Sequence, residues 1–176
     1  NEIIIKKHLE KDDLVMHTDT PGSPFFIIKN GQKATEATIN ETAQAVAVHS
    51  KAWKQGATTT DVFYVKPEQV SKEAKAGEYM SKGSFMIYGK REFLRPQMEY
   101  SIGLVGEQII GGPVDAIKVK TKDHVTVIIG REKKSDLAKK IKAKLKGGEL
   151  DEIIAFLPAG GGDLAKESKK IVRDFK

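Results

Sequence analysis

Apolar positions in the first third of the chain come in short runs that predict strands. The runs LVMHTD (14–19) and PFFIIKN (24–30) are separated by TPGS, a turn sequence with proline and glycine. Together they predict a β-hairpin with a long loop. TTTDVFYVKP (58–67) is rich in β-branched and aromatic residues and predicts a further strand. The apolar segment 2–9 fits either a strand or the end of a helix.

A helix is predicted between this hairpin and the next strand. Thr38 followed by Glu41 has the spacing of a capping box, in which a hydroxyl and a carboxylate satisfy the first backbone amides. Gly56 suits the left-handed residue that ends many helices. Residues at spacings of three or four form one inward face: Ala43, Val46, Ala47, Ser50 and Trp53. Core packing is the favoured role of Trp53, and base stacking is the alternative.

The second half of the chain predicts more strands and a basic helix. GSFMIYGK (83–90) and MEYSIGLVG (98–106) are strand-like, and DAIKVKTKDHVTVIIG (115–130) alternates on both sides of a Lys-Asp turn, which predicts a hairpin. Ser135 is the predicted cap of a basic amphipathic helix that a glycine pair at 147–148 ends. Its predicted inward residues are Leu137, Ile141 and Leu145.

The last segments complete the predicted architecture. An apolar run, IIAFLP (153–158), precedes GGG (160–162) and a polar tail predicted to be helical. GGG lacks the Lys-Ser/Thr of a P-loop and predicts a flexible loop. The elements together predict an α/β fold of the α+β type, with a mainly antiparallel sheet flanked by helices. A boundary near 106–113 divides residues 1–105 from an appended β-hairpin plus helices at 106–176.

Composition indicates a globular protein and excludes some kinds of site. The chain has 176 residues, 39% hydrophobic and 31% charged, which is enough for one substantial domain. It has no cysteine, which excludes disulfides and thiolate metal sites and fits a reducing cytosol. No apolar run reaches the roughly 18 residues of a membrane span. No signal peptide opens the chain, so a cytoplasmic location without membrane contact is expected.

The net charge of +6 comes mostly from the second part of the chain. Residues 101–176 carry 16 Lys and Arg against 11 Asp and Glu. This excess permits contact with nucleic acid without establishing it. The histidines and carboxylates do not have metal-site spacing, so neither a metal nor another cofactor is predicted.

His17 and Asp19 are the candidate catalytic pair. They lie two residues apart on one predicted strand and therefore share a face. They fit either a proton-transfer pair or a structural hydrogen-bonded pair. The structural role is favoured because the sequence offers no nucleophile or metal to complete a site, so the chain is predicted not to be an enzyme.

Residues 66–95 have the composition of a nucleic-acid contact. This segment holds seven Lys and Arg against four Glu, glycines that let a backbone approach closely, and rings that can stack on bases. The contacts predicted in this segment are Lys72, Tyr79, Lys82, Ser84, Tyr88, Lys90 and Arg91. Lys51, which lies two residues before Trp53, is predicted to join them. Phe85 has the opposite strand parity to Tyr88 and is assigned to the core. A secondary basic patch is predicted at Lys139, Lys140 and Lys144. The alternatives are a basic β-meander without a ligand and a solvated helix face.

Three segments carry a resemblance to a known family. DLVMHTDTPGSPFFIIKN (13–30), HSKAW (49–53) and QVSKEAKAGEYMSKGSFMIYGKREFL (69–94) resemble the NFACT-R domain. That domain occurs in the NEMF/Tae2/FbpA-type ribosome quality-control factors and in small stand-alone archaeal and eukaryotic proteins. The resemblance covers about residues 1–105. It implies RNA binding in translation, ribosome-associated quality control or tRNA metabolism, with tRNA, rRNA or the ribosome as the partner.

The sequence also departs from the family pattern. The family's domain begins upstream of Asn1, so its first strands are expected to be missing. The N-terminal domain, helical pair and coiled coil of the large members are not in this sequence, which is similar to a stand-alone archaeal member. HTDTPGSP replaces the family's HADLHGA form and loses a second histidine. Two further functions stay open: a tRNA-modification (thiolation) enzyme or accessory that uses His17 and Asp19, and a double-stranded DNA binder.

Overall fold

The computed structural model describes residues 2–73, 75–80 and 84–166. Its helices are α1 (Glu2–His8), α2 (Glu36–Val48), α3 (Lys51–Lys54), α4 (Val114–Lys118), α5 (Lys134–Leu145) and α6 (Leu150–Phe156). Its strands are β1 (Leu14–Thr18), β2 (Phe26–Ile28), β3 (Val62–Val65), β4 (Val70–Ser71), β5 (Met86–Ile87), β6 (Glu92–Leu94), β7 (Glu99–Val105), β8 (Gln108–Gly112), β9 (His124–Glu132) and β10 (Gly162–Leu164).

The strands form two four-stranded sheets and one short pair. The first sheet has the order β2-β1-β3-β6, the second has the order β10-β9-β7-β8, and β4 pairs with β5. Every pairing among the described strands is antiparallel. The predicted fold class, α+β with antiparallel sheet flanked by helices, is confirmed.

The first sheet packs against other elements on both faces. On the inner face, Met16 of β1 and Val62 of β3 lie in the large hydrophobic core with residues of α2. Val15 and Phe63 have the opposite parity and belong to a second cluster, to which α1 contributes Ile5. The predicted hairpin of β1 and β2 is confirmed, and the ambiguous opening segment is the helix α1.

The single helix predicted before β3 is two helices that meet at His49 and Ser50. The Ser50 hydroxyl accepts a hydrogen bond from the backbone amide of Ala52 (3.2 Å) and so caps α3. Trp53 in α3 is 1% exposed, and its indole Nε1 donates to the carbonyl oxygen of Gly161 (2.9 Å). The core role of Trp53 is confirmed. The loop predicted for GGG is confirmed for Gly160 and Gly161 and is wrong for Gly162, which begins β10.

The hairpin predicted at 115–130 is wrong. Val114 and Ile117 are buried at helical spacing in α4, and β9 is one long strand. The sequence IKVKTK also alternates between apolar and polar residues, which is the pattern of a strand, so the local sequence fits both a strand and a helix. Packing decides between them, because Ile117 fills the space over Gly103, where a Cβ would meet it at 3.0 Å. The hairpin of this region is β7-β8, and its turn includes Gly106 at φ +60°.

The basic helix α5 is confirmed, but its predicted cap is wrong. Its inward residues Leu137, Ile141 and Leu145 are buried as predicted. The helix begins one residue before Ser135, and Lys133 at its N-cap makes no side-chain capping bond. The predicted strand 98–106 is β7, whereas 83–90 contains the two-residue strand β5. The predicted helical tail, 167–176, lies outside the described residues.

One hydrophobic core contains residues from both halves of the chain, from Leu14 of β1 to Leu157 after α6. The proposed division into residues 1–105 and 106–176 stays a prediction. In the described part of the chain, none of the helices has the length and apolar character needed to cross a bilayer.

The N-terminal cap of α2 also differs from the predicted one. The helix begins at Glu36, and the Thr35 hydroxyl accepts a hydrogen bond from the Thr38 amide (3.3 Å). Thr38 is therefore wrong as the capping residue. It lies in the first turn, and its amide is the group that is capped.

We expect Thr35→Ala to lower the free energy of unfolding by about 1 kcal/mol, because the Thr38 amide would lose its side-chain acceptor. Thr38→Ala is the matched control and should cost less, since its hydroxyl caps no backbone amide in the helix. Urea titrations of both variants measure the difference. A larger loss for Thr38→Ala would mean that α2 starts later than Glu36.

Candidate nucleic-acid interface

A row of three rings crosses the outer face of the first sheet. The strand registers pair His17 of β1 with Phe63 of β3, and Phe63 with Phe93 of β6. The ring centroids of His17 and Phe63 are 6.2 Å apart, and those of Phe63 and Phe93 are 6.1 Å apart. Because directly paired residues share a face, the antiparallel register alone brings these rings together. We call His17, Phe63 and Phe93 the aromatic row.

His17 forms the inner end of this row and is held by its own chain. Its Nδ1 lies 2.7 Å from the carbonyl oxygen of Thr18, and its Nε2 lies 3.1 Å from that of Ser23. The ring of Phe25 packs against it at 4.4 Å between centroids. The pKa of His17 is lowered, mainly by burial and also by the positive charge of Arg91. The two carbonyl contacts act in the opposite direction and raise the pKa, but they do not cancel the effect of burial.

Arg91 lies over the middle of the aromatic row. Its guanidinium carbon is 4.6 Å from the centroid of Phe63, a cation–π distance. The same guanidinium donates to the Asp19 carboxylate at 3.3 Å. A residue predicted to bind RNA therefore lies beside both residues of the predicted catalytic pair. That pair is not assembled for proton transfer, because the His17 nitrogens face carbonyl oxygens and Asp19 binds Arg91.

Phe93 forms the outer end of the row and was missed by sequence analysis. Its side chain is 56% exposed, although its ring contacts Phe63. It lies on β6, one of the two edge strands of the first sheet. The alternation of Arg91 and Phe93 was the available signal, since such spacing places both side chains on one side of an extended segment.

The two tyrosines predicted to stack on bases have different surroundings. The ammonium of Lys75 lies 4.3 Å from the centroid of the Tyr88 ring, and the Tyr88 hydroxyl donates to the Glu78 carboxylate at 3.1 Å. Burial and then this carboxylate raise the pKa of Tyr88. Tyr79 is 91% exposed. Tyr79 thus offers an open ring, whereas Lys75 covers one face of Tyr88. Phe85, predicted to be core, is partly buried and packs edge-on against Phe25.

The predicted lysine contacts are spread around this surface. Lys72 is exposed, and Lys90 forms an ion pair with Glu92 at 2.9 Å. The stem of Lys51 packs against Gly22 in the turn between β1 and β2, and its backbone amide donates to the Gly22 carbonyl. Ser84 is exposed, and Lys82 lies outside the described residues.

The secondary basic patch on α5 is not uniform. Lys139 lies 3.7 Å from Asp136, and Lys140 is hydrogen-bonded to Glu132. Lys144 lines a separate groove beside His124. Among the described residues, no group of three or more His, Asp or Glu side chains could hold a metal ion.

The lowered pKa values of His17 and His49 predict a dependence of stability on pH. Burial lowers the pKa of His17 and of His49, with Lys134 adding to the effect at His49. The neutral histidines contribute to the free energy of unfolding. This contribution is complete above the pKa of about 6.5 that a histidine has in the unfolded chain, and it is lost as the pH falls below that value. We expect a lower free energy of unfolding at about pH 5.5 than at about pH 7.5, and a smaller difference in His17→Gln.

Urea titrations at the two pH values measure this difference, and His8→Gln is the control because that side chain is exposed. An unchanged pH dependence in His17→Gln would contradict the proposed environment of the ring.

Comparisons with known proteins agree with the resemblance. The profile of the family described as "NFACT protein RNA binding domain" matches residues 1–89, about half of the chain. The archaeal Rqc2 homolog aRqcH of Methanocaldococcus jannaschii is 37% identical over 175 residues, which is 95% of this chain and 26% of that protein. This similarity continues beyond residue 105. The human ribosome quality control complex subunit NEMF is 40% identical over 98 residues, 54% of this chain and 9% of that protein.

One solved structure, the C-terminal part of the fibronectin/fibrinogen-binding protein from Streptococcus suis, aligns with 69% of this chain and 40% of that one, at 20% identity and a TM-score of 0.45. The chain spans about a quarter of the archaeal relative and less than a tenth of human NEMF. The family profile covers β1, β2, α2, β3 and the segment up to Gly89. On this match, the chain belongs to the NFACT RNA-binding domain family.

Proposed function

We propose that this chain is a non-catalytic RNA-binding domain that acts in ribosome-associated quality control. Its RNA contact is the outer face of the first sheet, where Arg91 and Phe93 lie at the edge. One observation carries the proposal. The partly exposed guanidinium of Arg91 packs on the ring of Phe63 in β3, and the exposed ring of Phe93 lies on the neighbouring strand β6. A cation for phosphate beside an open ring for a base is the combination that single-stranded RNA requires.

The ion pair between Arg91 and Asp19 is weak enough for a ligand phosphate to take the place of the carboxylate. Its guanidinium is 32% exposed and its partner Asp19 is 52% exposed. Ion pairs of this kind contribute only about 0–1 kcal/mol, so a phosphate can replace the carboxylate at little cost. Lys72, Tyr79, Ser84 and Lys51 extend the proposed contact beyond the aromatic row.

The relatives support the cellular context. Their names describe an Rqc2 homolog and a ribosome quality control complex subunit. We infer that the RNA is rRNA or tRNA at the ribosome. An exposed ring favours unpaired bases, and double-stranded DNA offers no free base face, so the DNA alternative has less support. The tRNA-modification alternative rests on His17 and Asp19, which contact other groups of their own chain.

Phe93→Ala should weaken binding of single-stranded RNA by about 1–3 kcal/mol, the range for loss of a base–aromatic stack. Arg91→Gln should also weaken binding, because it removes the cation beside that ring. Fluorescence anisotropy with a labelled single-stranded RNA measures both. Arg95→Gln is the matched control, since Arg95 is bound to Asp61 by two hydrogen bonds and lines a groove with α2. Parent-like affinity in Phe93→Ala and Arg91→Gln would reject this interface.

Lys72→Gln should reduce the salt slope of RNA binding by about 0.7, the value for one phosphate contact on a single strand. Lys90→Gln should reduce it less, because Glu92 already neutralises that ammonium. Anisotropy titrations across a salt series give both slopes. An unchanged slope in the folded Lys72→Gln variant would remove Lys72 from the contact surface.

A further inference from the structure

A basic groove lies on the second sheet and shares no residue with the aromatic row. Its volume is about 640 Å³. The side chains that give it its chemistry are Glu99, Lys118, His124, Thr126, Lys144 and Lys166. They come from β7, α4, β9, α5 and the segment after β10. The groove therefore exists only once these separate parts of the sequence have packed together.

Three lysines line this groove from three different elements. Lys118 ends α4, Lys144 lies in the last turn of α5, and Lys166 follows β10. No salt bridge joins Lys118 or Lys166 to a carboxylate of the described residues. Like charges gathered in one concavity repel one another unless an anion lies between them. The three lysines are brought together by tertiary packing. They are not neighbours on the face of a single helix.

A second depression of about 200 Å³ adjoins the groove and shares His124 and Lys144 with it. It adds Lys122 and one carboxylate, Asp123, while Glu99 is the carboxylate in the groove itself. Cations therefore outnumber carboxylates along the combined surface, and an anion is the ligand that fits it.

His124 also brings to the groove a polar atom that is unpaired in the described part of the chain. Its Nδ1 is buried and has no hydrogen-bond partner among the described residues. Buried polar atoms without a partner are rare in folded proteins, and each requires an explanation. Thr126, two residues further along β9, offers a hydroxyl at the groove and lies 3.4 Å from the Ser101 hydroxyl.

The chemistry of the groove favours phosphate over other anions. Lysine ammonium groups and a hydroxyl act as point donors, which suit successive phosphates along a backbone. The residues that line the groove include no Phe, Tyr or Trp side chain, and the ring of His124 is its only imidazole. The groove therefore lacks the large aromatic anchor that dominates peptide interfaces and the large ring on which a base stacks best.

We propose that this groove is a second RNA contact, which binds backbone phosphates through Lys118, Lys144 and Lys166 without reading bases. The ligand class rests on the proposed RNA-binding function, but the site does not share residues with the aromatic row. One RNA can then be held by stacking on the first sheet and by phosphate contacts on the second. The lysines of the groove supply affinity that depends on salt and not on sequence.

The four histidines of the chain provide a test that resolves the two sites. His124 lines the groove, His17 belongs to the aromatic row, and His8 and His49 line neither. Imidazole resonances of the full chain, followed by NMR during titration with a short single-stranded RNA, should show a saturable shift at His124. In the triple variant Lys118→Gln, Lys144→Gln, Lys166→Gln that shift should be lost, and the salt slope of binding should fall by about 2.

The matched control removes the same charge elsewhere, with Lys11→Gln, Lys33→Gln and Lys133→Gln at exposed positions. It should keep the His124 shift. A silent His124, or a shift that survives in the groove variant, overturns this proposal. A polyglutamate peptide that shifts His124 as strongly as RNA does overturns the phosphate assignment. A shift at His124 without one at His17 supports the groove and contradicts the interface at Arg91, so the two failures are distinguishable.

Discussion

The burial of α2 and Trp53 between the two sheets is the constraint on which the rest of the structure depends. Ala43, Val46 and Ala47 of α2 are fully buried in a core that contains residues of both sheets. Trp53 extends this layer and bonds through its indole nitrogen to Gly161, far along the chain. The inner face of the first sheet is therefore committed to packing. Functional side chains of that sheet are confined to its outer face and its edge.

That confinement explains the character of the candidate interface. The outer face is mostly covered by α1 and the β4–β5 region, and its open part is the edge strand β6. The aromatic row leads from the half-buried ring of His17 to the exposed ring of Phe93. Arg91 is held above it by one cation–π contact and one exposed ion pair, each of which contributes about 1 kcal/mol or less. The proposed contact is thus positioned by strands, and its weak ion pair would allow Arg91 to exchange partners.

Local signals predicted much of the fold, and tertiary packing explains most of the errors. The apolar runs of β1, β2 and β3 and the inward residues of α5 follow simple periodicities, which need no knowledge of neighbours. The start of α2 was misplaced because Thr35 and Thr38 both suit a cap. The strand pattern at 115–130 failed because the fit of Ile117 over Gly103 is a long-range contact. In the candidate interface, composition predicted Arg91 and Tyr79, whereas the position of Phe93 beside Phe63 follows from strand register.

The proposed interface places RNA on the outer face of the first sheet, at its edge. Photo-crosslinking of the full chain to a single-stranded RNA that carries 4-thiouridine, followed by mass spectrometry of the crosslinked peptides, tests this directly. We expect crosslinks in the peptide that contains Phe93, because a stacked base lies in contact with that ring. Crosslinks confined to the groove between α2 and Arg95, with none at Phe93, would contradict it.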